Sequence, residues 1–438
     1  MLSFAFLTFL AGVAVGAFEV FPYAHFEKAW HAAKAVKAYY DGTDQYDPTI
    51  WRPANNRPGG VLRRIPNREY AGYTVYASGH SDGVYLIDME GQLVHSWKVP
   101  FHDLWDKTAE TTDPVAGDKI FARKGVLQPN GDVIILYSAL DTPLWGYGLA
   151  RLDRNSRVLW KYLGRAHHDM DVRPDGRVYA LVHRYVTEQQ DDAVVPSPVI
   201  EDWLVILSPE GEVEIEMSLH RAIEQSDFRS LLWHFRKRTD PPGDYTHANT
   251  VKLITPEIAS KFRFAKPGQV LVNMRNLGTI MLFDLEQRQA VWQISGAWRH
   301  AHDPDFLDDG RMLIFDNKGH YGPEGKSRVL EFDPVSQEIT WMYAGTVDDP
   351  LASHIRAAVQ RLPNGNTLIT ESHGGRLLEV TRDKQIVWEY VNPIRAGSKQ
   401  SLVPVIMWGT WFAADDLDPE FRSLFERSSK LSLRPENP

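Results

Sequence analysis

The chain has 438 residues, no cysteine, and a formal net charge of −9 from 48 basic and 57 acidic side chains. The missing cysteines exclude disulfides, thiolate metal sites and cysteine nucleophiles. An acidic balance without a long basic run argues against a nucleic-acid partner, and 43% hydrophobic with 24% charged residues fits a chain with a full core.

Residues 1–18 carry no ionisable side chain, and the first such group is Glu19. This length is at the short end for a membrane-spanning helix, and an uncleaved anchor is expected. No Lys or Arg precedes Lys28, so the basic flank of a secretory signal is missing, although Val15, Gly16 and Ala17 would suit a signal peptidase. Residues 23–40, rich in Ala, Lys and aromatics, read as an amphipathic helix at the bilayer surface. Residues 41–69, with several Pro, Gly and Asn, read as a linker. The main domain is then expected on the periplasmic or extracytoplasmic side.

From residue 70 to 438 a repeat organises the chain. An apolar strand, a polar turn and a strand commonly holding Trp recur at 84–97, 149–160, 203–217, 279–292, 328–341 and 376–388. Apolar alternation around a short turn makes a β-hairpin. A further strand signature with a Gly-punctuated turn precedes five of them, at 126–136, 172–181, 267–274, 306–315 and 361–370. Residues 73–78 are the expected sixth partner. Each unit offers about four strands, and such sheets bury their faces by stacking radially. The expected fold is all-β, a six-bladed β-propeller behind an N-terminal membrane-anchor helix, with residues 402–412 closing the ring.

Two units share a chemical departure. His168 lies eight residues before Gly176 and His302 eight before Gly310, in the frames HDMDVRPDG and HDPDFLDDG. Arg123 and Ala357 hold that slot elsewhere, His247 opens a similar strand, Arg275 follows another, and His354 and Arg356 precede a further one. Positions just before an inner strand face the propeller axis, so three histidines are expected to converge there with arginine. Ordinary buried or surface histidines, inherited with the repeat, are the alternative. Neutral imidazole is a nucleophile near pH 7, and Arg stabilises anions. Three histidines can also hold Zn²⁺ with the adjacent aspartates orienting them, but Arg275 beside them opposes a cation and favours sulfate or phosphate. No metal and no cofactor are expected.

The stretches HHDMD, THANTVKL, NMRN and WRHAHDPDFLDDGRMLIFDN resemble the bacterial arylsulfotransferases, in order, within residues 73–393. The resemblance implies ping-pong transfer of a sulfuryl group from a phenolic sulfate ester to another phenol, through a sulfated histidine and without a nucleotide donor. It places the nucleophile at His302 and further active-site groups at His168 or its neighbour His167, His247 and Arg275. Residue frames alone leave His168 and His302 equivalent as nucleophiles. His167, Tyr245 and Trp298, with Trp145, are the expected substrate-binding residues. Periplasmic members commonly carry a β-sandwich domain before the propeller and a cysteine pair; residues 19–69 are too few for the former, and this sequence has no cysteine. Two other readings stay open: a non-catalytic scaffold in a membrane-associated complex, and a metal-dependent hydrolase or lyase built on the axial histidines.

Overall fold

The computed structural model describes residues 46–432 except 143, 189–193, 196, 236–242 and 321–325, with isolated positions between 6 and 15. Six antiparallel sheets of four or five strands carry the chain. Blade 1 orders Ile406–Phe412, Tyr73–Ser78, Gly83–Ile87 and Leu93–Lys98 from the inside outward. Blade 2 runs Ile120–Leu127, Val133–Ala139, Gly146–Leu152 and Val158–Tyr162, and blade 3 runs Ala166–Val172, Val178–Val186, Val199–Leu207 and Val213–Ser218. Blade 4 is Ala248–Leu253, Val270–Met274, Thr279–Asp284 and Gln289–Ser295; blade 5 is His302–Phe306, Met312–Asp316, Arg328–Phe332 and Ile339–Tyr343. Blade 6 is Ala358–Arg361, Thr367–Glu371, Arg376–Val380 and Ile386–Val391, with Gly60–Arg64 as a fifth, outermost strand. The recurring hairpins are thus the third and fourth strands of each blade.

The repeated Trp has a definite task. On the outer strand its indole N–H donates to a turn carbonyl of the next blade: Trp97 to Gly131, Trp160 to Pro209, Trp341 to Arg382, and Trp388 to Met89. The last of these ties blade 6 to blade 1. Trp97 and Trp388 are almost wholly buried, so each adds a large apolar surface to the hydrogen bond.

Both chain ends close the ring. Ile406–Phe412 pairs with Tyr73–Ser78, the closure expected of 402–412. The linker expected over 41–69 is corrected in part: Trp51–Pro53 pairs with Leu402–Pro404, and Gly60–Arg64 pairs with the outer strand of blade 6. These are short edge strands with one face in solvent, so they lack the apolar alternation that marks a strand in sequence. The expected anchor and amphipathic helix fall almost entirely outside the described residues. Among the described residues no helix is long and apolar enough to cross a membrane.

The aspartates of the two HD frames join blades rather than orienting their histidines. Asp169 accepts the N–H of Val251 at 2.9 Å, and Asp303 accepts that of Val359 at 2.8 Å, each from blade n to blade n+1. Lys124 and Lys252 pair with them. Asp303→Ala orphans a buried N–H and removes one carboxylate from Lys252. It is expected to cost about 2–3 kcal/mol, read from denaturant midpoints; a loss under about 0.5 kcal/mol would rule out the inter-blade role.

Candidate functional site

The inner strands are irregular where they meet the axis. Register shifts fall between Ala122 and Lys124, His167 and Met170, Ala248 and Thr250, and His302 and Asp305. A bulge re-aims one side chain out of the pleat. His168 (φ 57°), His247 (φ 50°) and Arg356 (φ 63°) take left-handed backbone conformations there, which cost non-glycine residues on the order of 1 kcal/mol or more. That strain turns their side chains into a common cavity of about 390 Å³.

The cavity is lined by Arg123, His168, His247, Arg275, His302 and Arg356, with Phe121, Trp145 and Thr49 at its walls. Four candidates from the repeat frames, His168, His247, Arg275 and His302, therefore meet. So do Arg123 and Arg356. Burial first, then the nearby arginines, hold His168, His247 and His302 well below the usual imidazole range, so all three are neutral at pH 7. Burial also brings Arg123 down to about 9 and Arg356 to about 10, still cationic. Arg123 has no hydrogen-bond partner among the described residues. Positive charge is concentrated around neutral imidazoles, and an anion is what the cavity is charged to receive.

Hydrogen bonding assigns the tautomers. The Asn317 side-chain NH₂ donates to the carbonyls of Ser353 (2.7 Å) and Arg356 (2.6 Å), and carbonyls only accept. Its Oδ1 therefore faces His302, whose Nδ1–H donates to it at 2.8 Å. Neutral His302 then presents the unprotonated Nε2 to the cavity. His168 is opposite in character. The Trp145 indole, which can only donate, points its N–H at His168 Nδ1 (3.4 Å). Its proton thus belongs on Nε2, a donor towards the cavity. His247 shares a short hydrogen bond through Nδ1 with Asp244, whose carboxyl burial and then Asp202 push up to about 7.

Other expected residues lie elsewhere. His167 is fully buried behind the cavity, its ring stacked on His183 at 3.5 Å. Trp298 does not reach the axis: its indole packs against Phe332 in the core of blades 4 and 5 and donates to Gly278. Tyr245 packs against the core between blades 3 and 4 and does not line the cavity. The indole that does line it is Trp145, whose ring lies 5.3 Å from that of His247. Asn317 escaped notice although a frame marks it. Seven residues after each turn glycine stand Ser138, His183, Arg275, Asn317 and Ser372, all polar. Thr49 carries no sequence signal; its carbonyl accepts from Arg356 and brings the N-terminal segment to the cavity wall.

The sequence profile of the arylsulfotransferase (ASST) family matches residues 125–393, more than half of the chain. This chain belongs to the arylsulfotransferase family. The matched span contains every histidine and arginine of the cavity except Arg123. No curated protein matches the sequence. Among solved structures, a Bacteroides caccae protein of unknown function is 13% identical, with 77% of this chain and 99% of that chain covered and a TM-score of 0.48. Virginiamycin B lyase from Staphylococcus aureus is 10% identical over 78% of this chain and 88% of that one, with a TM-score of 0.40. At such overlaps the propeller assignment rests on the sheet topology itself. Arylsulfotransferase-type chemistry on small aryl substrates is thus the function at the level of the family.

Proposed function

We propose that the chain moves a sulfuryl group from an aryl sulfate ester to a phenolic acceptor through a sulfo-histidine at His302, without a nucleotide donor. The observation that carries this reading is the Asn317 lock, which leaves the His302 Nε2 lone pair in a cavity ringed by three guanidinium groups. In the first half, Nε2 attacks sulfur and the S–O bond to the aryl group breaks, releasing an aryloxide that takes a proton from solvent. Nδ1–H stays on Asn317 and balances the charge on the sulfonated ring. In the second half, the acceptor phenol gives its proton through His247 to solvent, its oxygen attacks sulfur, and the N–S electron pair returns to Nε2. Arg275, Arg123 and the Nε2–H of His168 bind the sulfuryl oxygens, which gain charge as the transfer proceeds. Trp145 and Phe121 offer faces for the aryl ring.

A docking scaffold has no use for desolvated guanidinium groups around neutral imidazoles at the bottom of a cavity. The direct experiment is release of p-nitrophenol from p-nitrophenyl sulfate, with and without added phenol. Turnover that rises with phenol supports transfer; no release with any aryl sulfate would overturn it and favour the scaffold reading. The pH dependence follows from His302. Acid protonates Nε2 and removes the nucleophile, and its depressed pKa delays that loss. The kcat/KM for p-nitrophenyl sulfate is expected to stay level as pH falls through 6.5, with its acid limb well below. A limb at or above about 6.5 would contradict a buried neutral nucleophile.

A further inference from the structure

Behind the cavity wall, in blade 3, three side chains converge without the hydrogen bonds they need. His167, His183 and Asp202 are fully buried, and their ligand atoms lie within 4.8 Å of one another. His167 Nε2 sits 3.2 Å and His183 Nε2 3.5 Å from the same oxygen, Asp202 Oδ1. None of these three atoms has a hydrogen-bond partner among the described residues. The other carboxylate oxygen is occupied, by Thr246 Oγ1 at 2.5 Å and the Ala248 N–H at 2.7 Å.

Proton placement sharpens the problem. His167 Nδ1 and His168 Nδ1 are 2.7 Å apart, so one proton lies between them. Trp145 already donates to His168 Nδ1, so the shared proton belongs to His167. With that proton on Nδ1, His167 turns Nε2 towards the acceptor oxygen Asp202 Oδ1 at 3.2 Å, outside hydrogen-bond geometry. His183 stacks on it with a second nitrogen facing the same oxygen. Two ring nitrogens and a carboxylate oxygen facing one another in a dry interior are satisfied by a metal ion between them or, as a buried charged pair, by a proton on His167.

We propose that His167, His183 and Asp202 bind a divalent transition-metal ion of the Zn²⁺ class. Tetrahedral bonds of about 2.0–2.1 Å place ligand atoms about 3.3 Å apart, and the two distances to Asp202 Oδ1 bracket that value. Two imidazoles and a carboxylate are a donor set for Zn²⁺ rather than Ca²⁺ or Mg²⁺. Water completes the coordination. Thr246 and the Ala248 amide orient the carboxylate, and His167 Nδ1–H reaches the cavity through His168, as an outer-shell bond that fixes a ligand's tautomer does. The ion would thereby hold His168 as a donor. Such an ion departs from the expectation of no metal in the chain, which rests on the arginine beside the axial histidines and the lack of thiolates; the present site is separate from those histidines and contains no arginine.

The test uses the full chain equilibrated with Zn²⁺, desalted, and assayed by elemental analysis, with a parallel Co²⁺ sample read by visible absorption. About one ion per chain and the intense bands of tetrahedral Co²⁺ are expected, with thermal unfolding raised by Zn²⁺ and lowered by a chelator. His183→Gln keeps an N–H donor for Asp202 but is a poor ligand, and should lose the ion; Asp202→Asn is the second variant should that one not fold. His302→Asn should retain it. Wild-type protein that binds less than about a tenth of an ion per chain overturns the proposal, leaving a charged His167–Asp202 pair instead. So does an ion retained in both ligand variants, or one lost on His247→Ala but not on His183→Gln.

Discussion

His302→Asn is expected to abolish both transfer and covalent capture. With p-nitrophenyl sulfate and no acceptor, the wild-type chain should accumulate one added SO₃ on the peptide containing His302, and the variant none. Turnover should fall about 10⁴-fold or more, because losing a nucleophile removes the covalent route itself. His168→Asn supplies the contrast. Its neighbour Trp145 makes His168 a donor at Nε2, so its loss should slow sulfation about 10²–10³-fold, the usual effect of one oxyanion donor, and leave the adduct on His302. An adduct on His168 instead would reverse the tautomer argument and place the lone pair on the wrong ring. The two histidines share a repeat frame, and only their hydrogen-bond partners tell them apart.

That difference marks how far the sequence could be read. Blades were legible because each Trp-bearing hairpin must bury one face on the next sheet, and a period near one blade follows from that need. His168, His302 and Arg123 were legible as one slot because the bulge at the axis recurs from blade to blade. Frames do not carry partners. Asp303 and Asp169 look in sequence like aids to their histidines, yet they satisfy backbone N–H groups one blade on. The true partners, Asn317 and Trp145, stand just outside strand ends: Asn317 follows the strand paired with that of His302, and Trp145 comes from the blade before that of His168. Trp298 misled for a related reason: aromatic residues recur at every blade interface, and nothing local separates a cavity wall from a core. Gly60–Arg64 looks like linker in sequence because an outermost edge strand needs neither alternation nor length.

Arg275→Leu should produce the second large loss, and its pH profile should identify the cause. Arg275 follows the second strand of blade 4 and lines the cavity with His302, and its backbone N–H donates to the His247 carbonyl at 3.1 Å. Removing one cation from the sulfuryl site is expected to cut kcat/KM about 10²–10³-fold. A merely structural role could do the same, so a second readout is needed. After burial, the Arg275 charge is the largest influence depressing His302. Without it the proton binds Nε2 more readily, and the acid limb of kcat/KM should move to higher pH, though not as far as that of a free imidazole, because burial remains. Arg275→Lys keeps the charge and gives up the planar fork. In that variant the limb should stay where it is in the wild type while the rate still drops, since one ammonium cannot hold two sulfuryl oxygens in the same plane. Equal limbs in Arg275→Leu and wild type would mean that the guanidinium does not act on His302, and the anion site would have to be rebuilt around Arg123 and Arg356.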